Sequence, residues 1–120
     1  MKELQWVNDG VRREIASYEK PVKQEIGYAL YAAQRGMMAE CAKPLKGFGG
    51  ASVIEITVDE DGDTFRTVYT VQLADAIWVL HSFQKKSTKG IATPKHEIDL
   101  IKQRLRRARE LSAELGRGNQ

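Results

Sequence analysis

The sequence predicts one α+β domain in which a helical hairpin precedes a small antiparallel sheet and a basic helix closes the chain. Three observations predict it. Apolar residues recur at helical spacing between Val11 and Ala33, they switch to strand-like patterns from Val53 to Phe83, and a proline at position 94 opens a final amphipathic stretch. A chain of 120 residues suits a single domain over 1–120, with 112–120 expected as a fraying tail.

Taken in order, Asn8-Asp9 offers an N-cap for a short helix carrying Val11, Ile15 and Tyr18 on its apolar side. Pro21 starts a second helix with Val22, Ile26, Ala29, Leu30 and Ala33 on one face and Gly36 as its stop. KPLKGFGG (43–50) is irregular. Its glycines invite comparison with a phosphate loop, but no Ser/Thr follows a lysine at a helix mouth, and SVIEITV, an alternating strand, comes next. A turn into the sheet is the reading that follows.

The first strand of the alternating region puts Ile54, Ile56 and Val58 on one face, and Asp61-Gly62 marks a tight hairpin. The next strand sets Phe65, Thr67, Tyr69, Val71 and Leu73 against Arg66, Val68, Thr70 and Gln72. AIWVLHSFQK is apolar on both faces from Ile77 to Leu80 and is expected to be the most buried strand, central in an antiparallel meander. Thr93 is the expected N-cap of the last helix, with Pro94 at its first position and Glu97 complementing its positive end. Ile98, Ile101, Leu105, Ala108 and Leu111 form its packing stripe.

Hydrophobic residues at 42% and charged ones at 29% describe an ordinary globular protein and exclude a disordered tail. The single cysteine, Cys41, allows no internal disulfide, and no His/Cys spacing suggests a metal or other cofactor. Neither a signal-peptide pattern nor a membrane-spanning run is present, so a cytoplasmic protein without a membrane partner is expected. The net charge of +3 hides an asymmetry. Residues 1–84 hold nine Lys/Arg against twelve Asp/Glu, whereas residues 85–120 hold ten against four, or −3 and +6. A field segregated in this way attracts polyanions. Three lysines, Lys85, Lys86 and Lys89, fall within five positions at the junction of the last strand and the last helix.

The run LKGFGGASVIEITVDEDGDTFRTVYTVQ, followed by WVLHSFQKKSTKGIATPKHEIDLIKQRLRRA, resembles the phage-derived HigB-like branch of the RelE/ParE superfamily of type II toxin–antitoxin toxins. The resemblance extends from about Glu3 to Glu110, and GFGG, FRTVY, LHSFQKK and TPKHEIDLIKQRL are its most specific pieces. It implies a RelE-like sheet flanked by helices, joined by an early strand near Leu4–Val7. It also implies an endoribonuclease, an mRNA interferase acting in the A site of the small ribosomal subunit to inhibit translation. The implied partners are mRNA, the ribosome and a helix-turn-helix antitoxin of the HigA/XRE-like type.

RNA supplies its own nucleophile, the 2′-hydroxyl, so such an enzyme needs no metal. It must align that oxygen with the leaving group, stabilise the extra negative charge and move protons. Arg66 is the first candidate, a guanidinium in an apolar strand that matches the family's strand arginine; the structural alternative is a salt bridge to Glu55 or Asp75. Lys85 and Lys86 point to opposite faces, so at most one accompanies Arg66. His96, in the first turn of the last helix, carries the side chain that titrates closest to neutrality and is the candidate proton carrier. Tyr69 is a second candidate for proton handling or base stacking, set against a core position that its alternation with Phe65 and Val71 favours. His81 is expected to be a hydrogen-bonded core residue. Lys46, Lys89, Lys95, Lys102, Arg106 and Arg109 are candidates for the RNA backbone. Two other readings compete: a ParE-like toxin that inhibits gyrase, and a non-catalytic nucleic-acid-binding module built on the basic helix.

Overall fold

A computed structural model describes residues 1–50, 52–73, 76–86 and 92–118 of the chain. Its elements are β1 (Glu3–Trp6), α1 (Asp9–Ala16), α2 (Lys20–Gln34), β2 (Ala42–Pro44), β3 (Val53–Glu60), β4 (Asp63–Thr70), β5 (Ala76–Lys86) and α3 (Lys95–Gly118). The five strands form one sheet in the order β1-β5-β4-β3-β2. All neighbours are antiparallel except β1, which runs parallel to β5. The α+β class, with helices flanking a mostly antiparallel sheet, is the one expected, and the early strand joins the sheet.

Local chemistry accounts for the elements. Asn8 caps α1 by accepting a bond from the Val11 amide at 2.9 Å, and Val11, Ile15 and Tyr18 are buried as their spacing requires. Pro21 occupies the first turn of α2, and Gly36 ends it with φ of 80°. Asp61 and Gly62 both adopt positive φ, 52° and 83°, which is the backbone of a two-residue hairpin turn matching the twist of β3 and β4. The apolar faces of α1 and α2 cover one side of the sheet, where the Tyr18 ring meets Phe65 edge-on at 4.8 Å and its hydroxyl bonds Ser82 Oγ at 2.9 Å. The other side is covered by α3 through Ile101, Leu105 and Ala108.

Four expectations are corrected. β5 is interior but not central; β4 holds the middle, because β1 adds to the far side of β5 and β2 to the far side of β3. The stretch read as irregular contains β2, a three-residue edge strand whose Pro44 is tolerated because an edge needs no second set of ladder bonds. Thr93 is not the cap of α3. The Pro94 carbonyl accepts from the Glu97 and Ile98 amides at 3.0 and 3.1 Å, so the helix opens one residue later and the Thr93 hydroxyl turns to the sheet. Finally, α3 continues to Gly118, past the expected end at Leu111. Among the described residues no helix is long and apolar enough to cross a membrane.

Candidate site on the sheet face beneath the last helix

Cross-strand pairing decides which side chains share a face. Glu55 pairs with Val68 and Val68 with His81; Thr57 pairs with Arg66 and Arg66 with Phe83; Thr64 pairs with Lys85. These residues therefore stand on one surface, the side of the sheet to which α3 docks. Lys86 pairs with Asp63, one register step away, and so belongs to the opposite surface. The register places Lys85, not Lys86, beside Arg66.

Arg66 is 7% exposed. Its Nη1 donates to Glu55 Oε1 at 3.1 Å and to Thr93 Oγ1 at 2.9 Å, and Thr93 Oγ1 donates to Glu55 Oε2 at 2.6 Å. The Glu55 carboxylate, 2% exposed, is thus held at both oxygens, once by the strand arginine and once by the residue that leads into α3. The salt bridge considered as the structural alternative for Arg66 is present; its other proposed partner, Asp75, lies outside the described residues.

A second polar network pins α3 to β5. Arg104 Nη1 donates to the Leu80 carbonyl at 3.2 Å and to His81 Nδ1 at 2.7 Å. Because a guanidinium only donates, Nδ1 must accept, and the ring proton lies on Nε2, which donates to Glu97 Oε1 at 3.2 Å. The Leu80 carbonyl needs this help. Leu80 is the extra residue where the β4–β5 register shifts after Val68, and a bulge leaves a backbone group out of the ladder. Burial pushes the His81 pKa below the ordinary imidazole value, while Glu97 pulls it up and Arg104 pushes it further down. The expectation of a hydrogen-bonded core histidine holds.

The remaining candidates divide. His96 is exposed in the first turn of α3, with Nε2 3.7 Å from Glu97 Oε1, the oxygen that also accepts from His81. Lys85 is half-buried and, among the described residues, has no ion-pair partner. Tyr69 is not brought to this surface. It pairs with Ile54 and Val79 on the opposite face, is fully buried, and its hydroxyl has no hydrogen-bond partner among the described residues; burial pushes its pKa up to about 12. Tyr69→Phe is expected to stabilise the fold by about 1 kcal/mol, since it removes an unpaired buried hydroxyl. Urea denaturation measures this, and an unchanged or lowered midpoint would count against it.

Of the basic candidates, Lys46 and Arg106 are exposed, Lys95 pairs with Asp99 at 2.9 Å, and Lys102 lies over the Phe48 ring at 6.0 Å. Arg109 donates twice to Gln72 Oε1, at 3.2 and 2.7 Å, and Lys89 lies outside the described residues. Among the described residues, one acidic group has spacing that could hold a metal: Glu19, Glu60 and Asp61, near the tip of the β3–β4 hairpin.

Residues 13–106 match the family described as phage-derived protein Gp49-like (DUF891), from within α1 to the middle of α3 and including every residue of the two networks. The chain belongs to the Gp49-like family. That family lies in the RelE/HigB-like toxin group, and a toxin of this group implies an antitoxin partner. No curated protein matches the chain. In this Gp49-like protein, sequence reasoning missed Arg104, Glu97 and the inward hydroxyl of Thr93 as parts of the site. Arg104 left a usable signal, as a charged residue between Ile101 and Leu105 within an otherwise apolar stripe.

Proposed function

We propose that the protein is the toxin of a type II toxin–antitoxin pair and an endoribonuclease that cuts translated mRNA. The observation that carries the reading is the shared surface: the register puts Arg66 and Lys85 on the sheet face to which Thr93 is bonded, just before α3 opens with Lys95 and His96. Membership in a toxin family supports it. RNA docks with a phosphodiester against Lys85, whose charge no carboxylate among the described residues neutralises. Lys85 stabilises the charge of the pentacovalent transition state as the 2′-oxygen attacks and the 5′-oxygen departs. Arg66, fixed by Glu55 and Thr93, holds the phosphate-facing end of the site in one geometry. His96, exposed beside Glu97, is placed to exchange a proton with solvent and substrate. The ribosome organises the RNA, and a helix-turn-helix antitoxin silences the enzyme.

Primer extension on mRNA in a translating extract, run beside a gyrase supercoiling assay, tests this. New 5′ ends with untouched supercoiling are expected; inhibited supercoiling without cuts would replace the reading with a gyrase poison. Lys85→Ala should slow cleavage by about 100-fold, the scale of losing one charge-stabilising donor, while Lys86→Ala should leave it near wild type. Equal losses in the two variants would remove the register argument.

A further inference from the structure

One aromatic ring of the site serves neither the core nor the phosphate chemistry. Ile77 to Ser82 of β5 are buried, yet Phe83, the next residue, is only partly so. Its position on the sheet explains why. Glu97 meets His81, Arg104 meets Leu80 and His81, and Arg109 reaches Gln72, so α3 begins above His81 and runs toward the opposite end of the sheet. Phe83 and Lys85 lie beyond its first turn. The ring stands directly across from Arg66, with Lys85 two residues further along on the same surface.

The ring is also backed. It stacks on the His81 imidazole with centroids 5.3 Å apart and planes 25° from parallel, and that imidazole is clamped at both nitrogens by Glu97 and Arg104. An aromatic side chain backed by a fixed imidazole, only partly buried and flanked by a lysine is suited to a π-system attached to an anion. An unpaired nucleobase with its own phosphate has that chemistry: the base covers the ring and the phosphate meets the ammonium.

We propose that Phe83 is the stacking platform for an unpaired base of single-stranded RNA whose adjoining phosphate is held by Lys85. This deepens the ribonuclease reading and rests on it. The buried His81 network then acts indirectly, as a rigid backing that sets the tilt of the ring before RNA arrives.

The test compares the purified wild-type chain with Phe83→Leu and Phe83→Trp for binding a short single-stranded oligoribonucleotide and an abasic strand of equal length. Phosphate contacts are common to both strands, so the ratio of the two affinities isolates the base. Wild type should favour the base-bearing strand by about tenfold, Phe83→Leu should bind both alike, and Phe83→Trp should keep or raise the preference. A Phe83→Leu ratio equal to wild type would overturn the proposal and leave the RNA reading intact, as would wild type binding both strands equally. Wild type binding neither strand would overturn the platform, while the ribonuclease reading, in which the ribosome organises the RNA, stands or falls by the primer extension. Should the leucine variant fail to fold, Phe83→Trp decides alone: a lost preference in a folded tryptophan variant overturns the platform.

Discussion

Arg66→Ala is expected to lower the stability of the fold by about 3–5 kcal/mol, because it strips the guanidinium from a carboxylate that cannot reach water. The side chains of the pair are 9% and 2% exposed, and with the arginine gone Glu55 keeps Thr93 but loses its counter-charge. Relief of growth arrest by this substitution would therefore not separate lost chemistry from lost folding. A paired replacement, Arg66→Met with Glu55→Leu, separates them. Exchanging both members of a buried ion pair for apolar groups of similar volume is close to neutral for stability, so the urea midpoint should return near wild type. Under the proposed ribonuclease reading, cleavage should stay absent, since the apolar pair cannot fix the face against which the phosphate is proposed to bind. A paired variant that again arrests growth would assign Arg66 to structure alone.

Arg104→Met is expected to destabilise by about 2–4 kcal/mol at pH 8, through two buried acceptors, the Leu80 carbonyl and His81 Nδ1, left without their donor. Its second effect is on pH dependence. In wild type the folded-state pKa of His81 is lowered, chiefly by burial. An unfolded imidazole takes up its proton near pH 6.5 while folded His81 does not, so the unfolded state binds more protons and stability falls as the pH drops below that value. The contribution is fully present above about pH 6.5 and is lost toward the folded pKa, with a slope of at most about 1.4 kcal/mol per pH unit. Removing Arg104 takes away one influence holding that pKa down and leaves the attraction of Glu97, so the slope should flatten. Denaturation between pH 5 and 8 measures both effects; an Arg104→Met slope as steep as wild type would contradict the assigned tautomer.

Much of the fold was legible because its signals are local. The spacing from Val22 to Ala33, the Asn8 cap and the Asp61-Gly62 turn each depend on a few neighbouring residues. What was hidden depends on pairing across the chain. Nothing near Leu4 announces that its partner is Ile77, and nothing in Ala42–Pro44 outweighs a proline against a strand. The site was half legible for the same reason. Arg66 stood out as a charge in an apolar strand, but choosing Lys85 over Lys86 needed the register, and the bulge at Leu80 defeats simple alternation. Period-two counting puts Val79 and Lys85 on one face, whereas Val79 pairs with Tyr69 on the side of α1 and α2 and Lys85 pairs with Thr64 on the side of α3. Thr93 was read as a cap because threonine before proline usually is one; here a buried carboxylate competes for the hydroxyl and wins.

The parallel pairing of the first strand with the fifth has a temporal consequence. Glu3 finds its neighbour only at Ala76, so a ribosome must deliver nearly two thirds of the chain before the opening segment can close the sheet, and α3 docks later still. A polypeptide made only as far as β4 lacks the β1–β5 pair and the sheet face beneath α3, so that face is assembled only after β5 and α3 have been made.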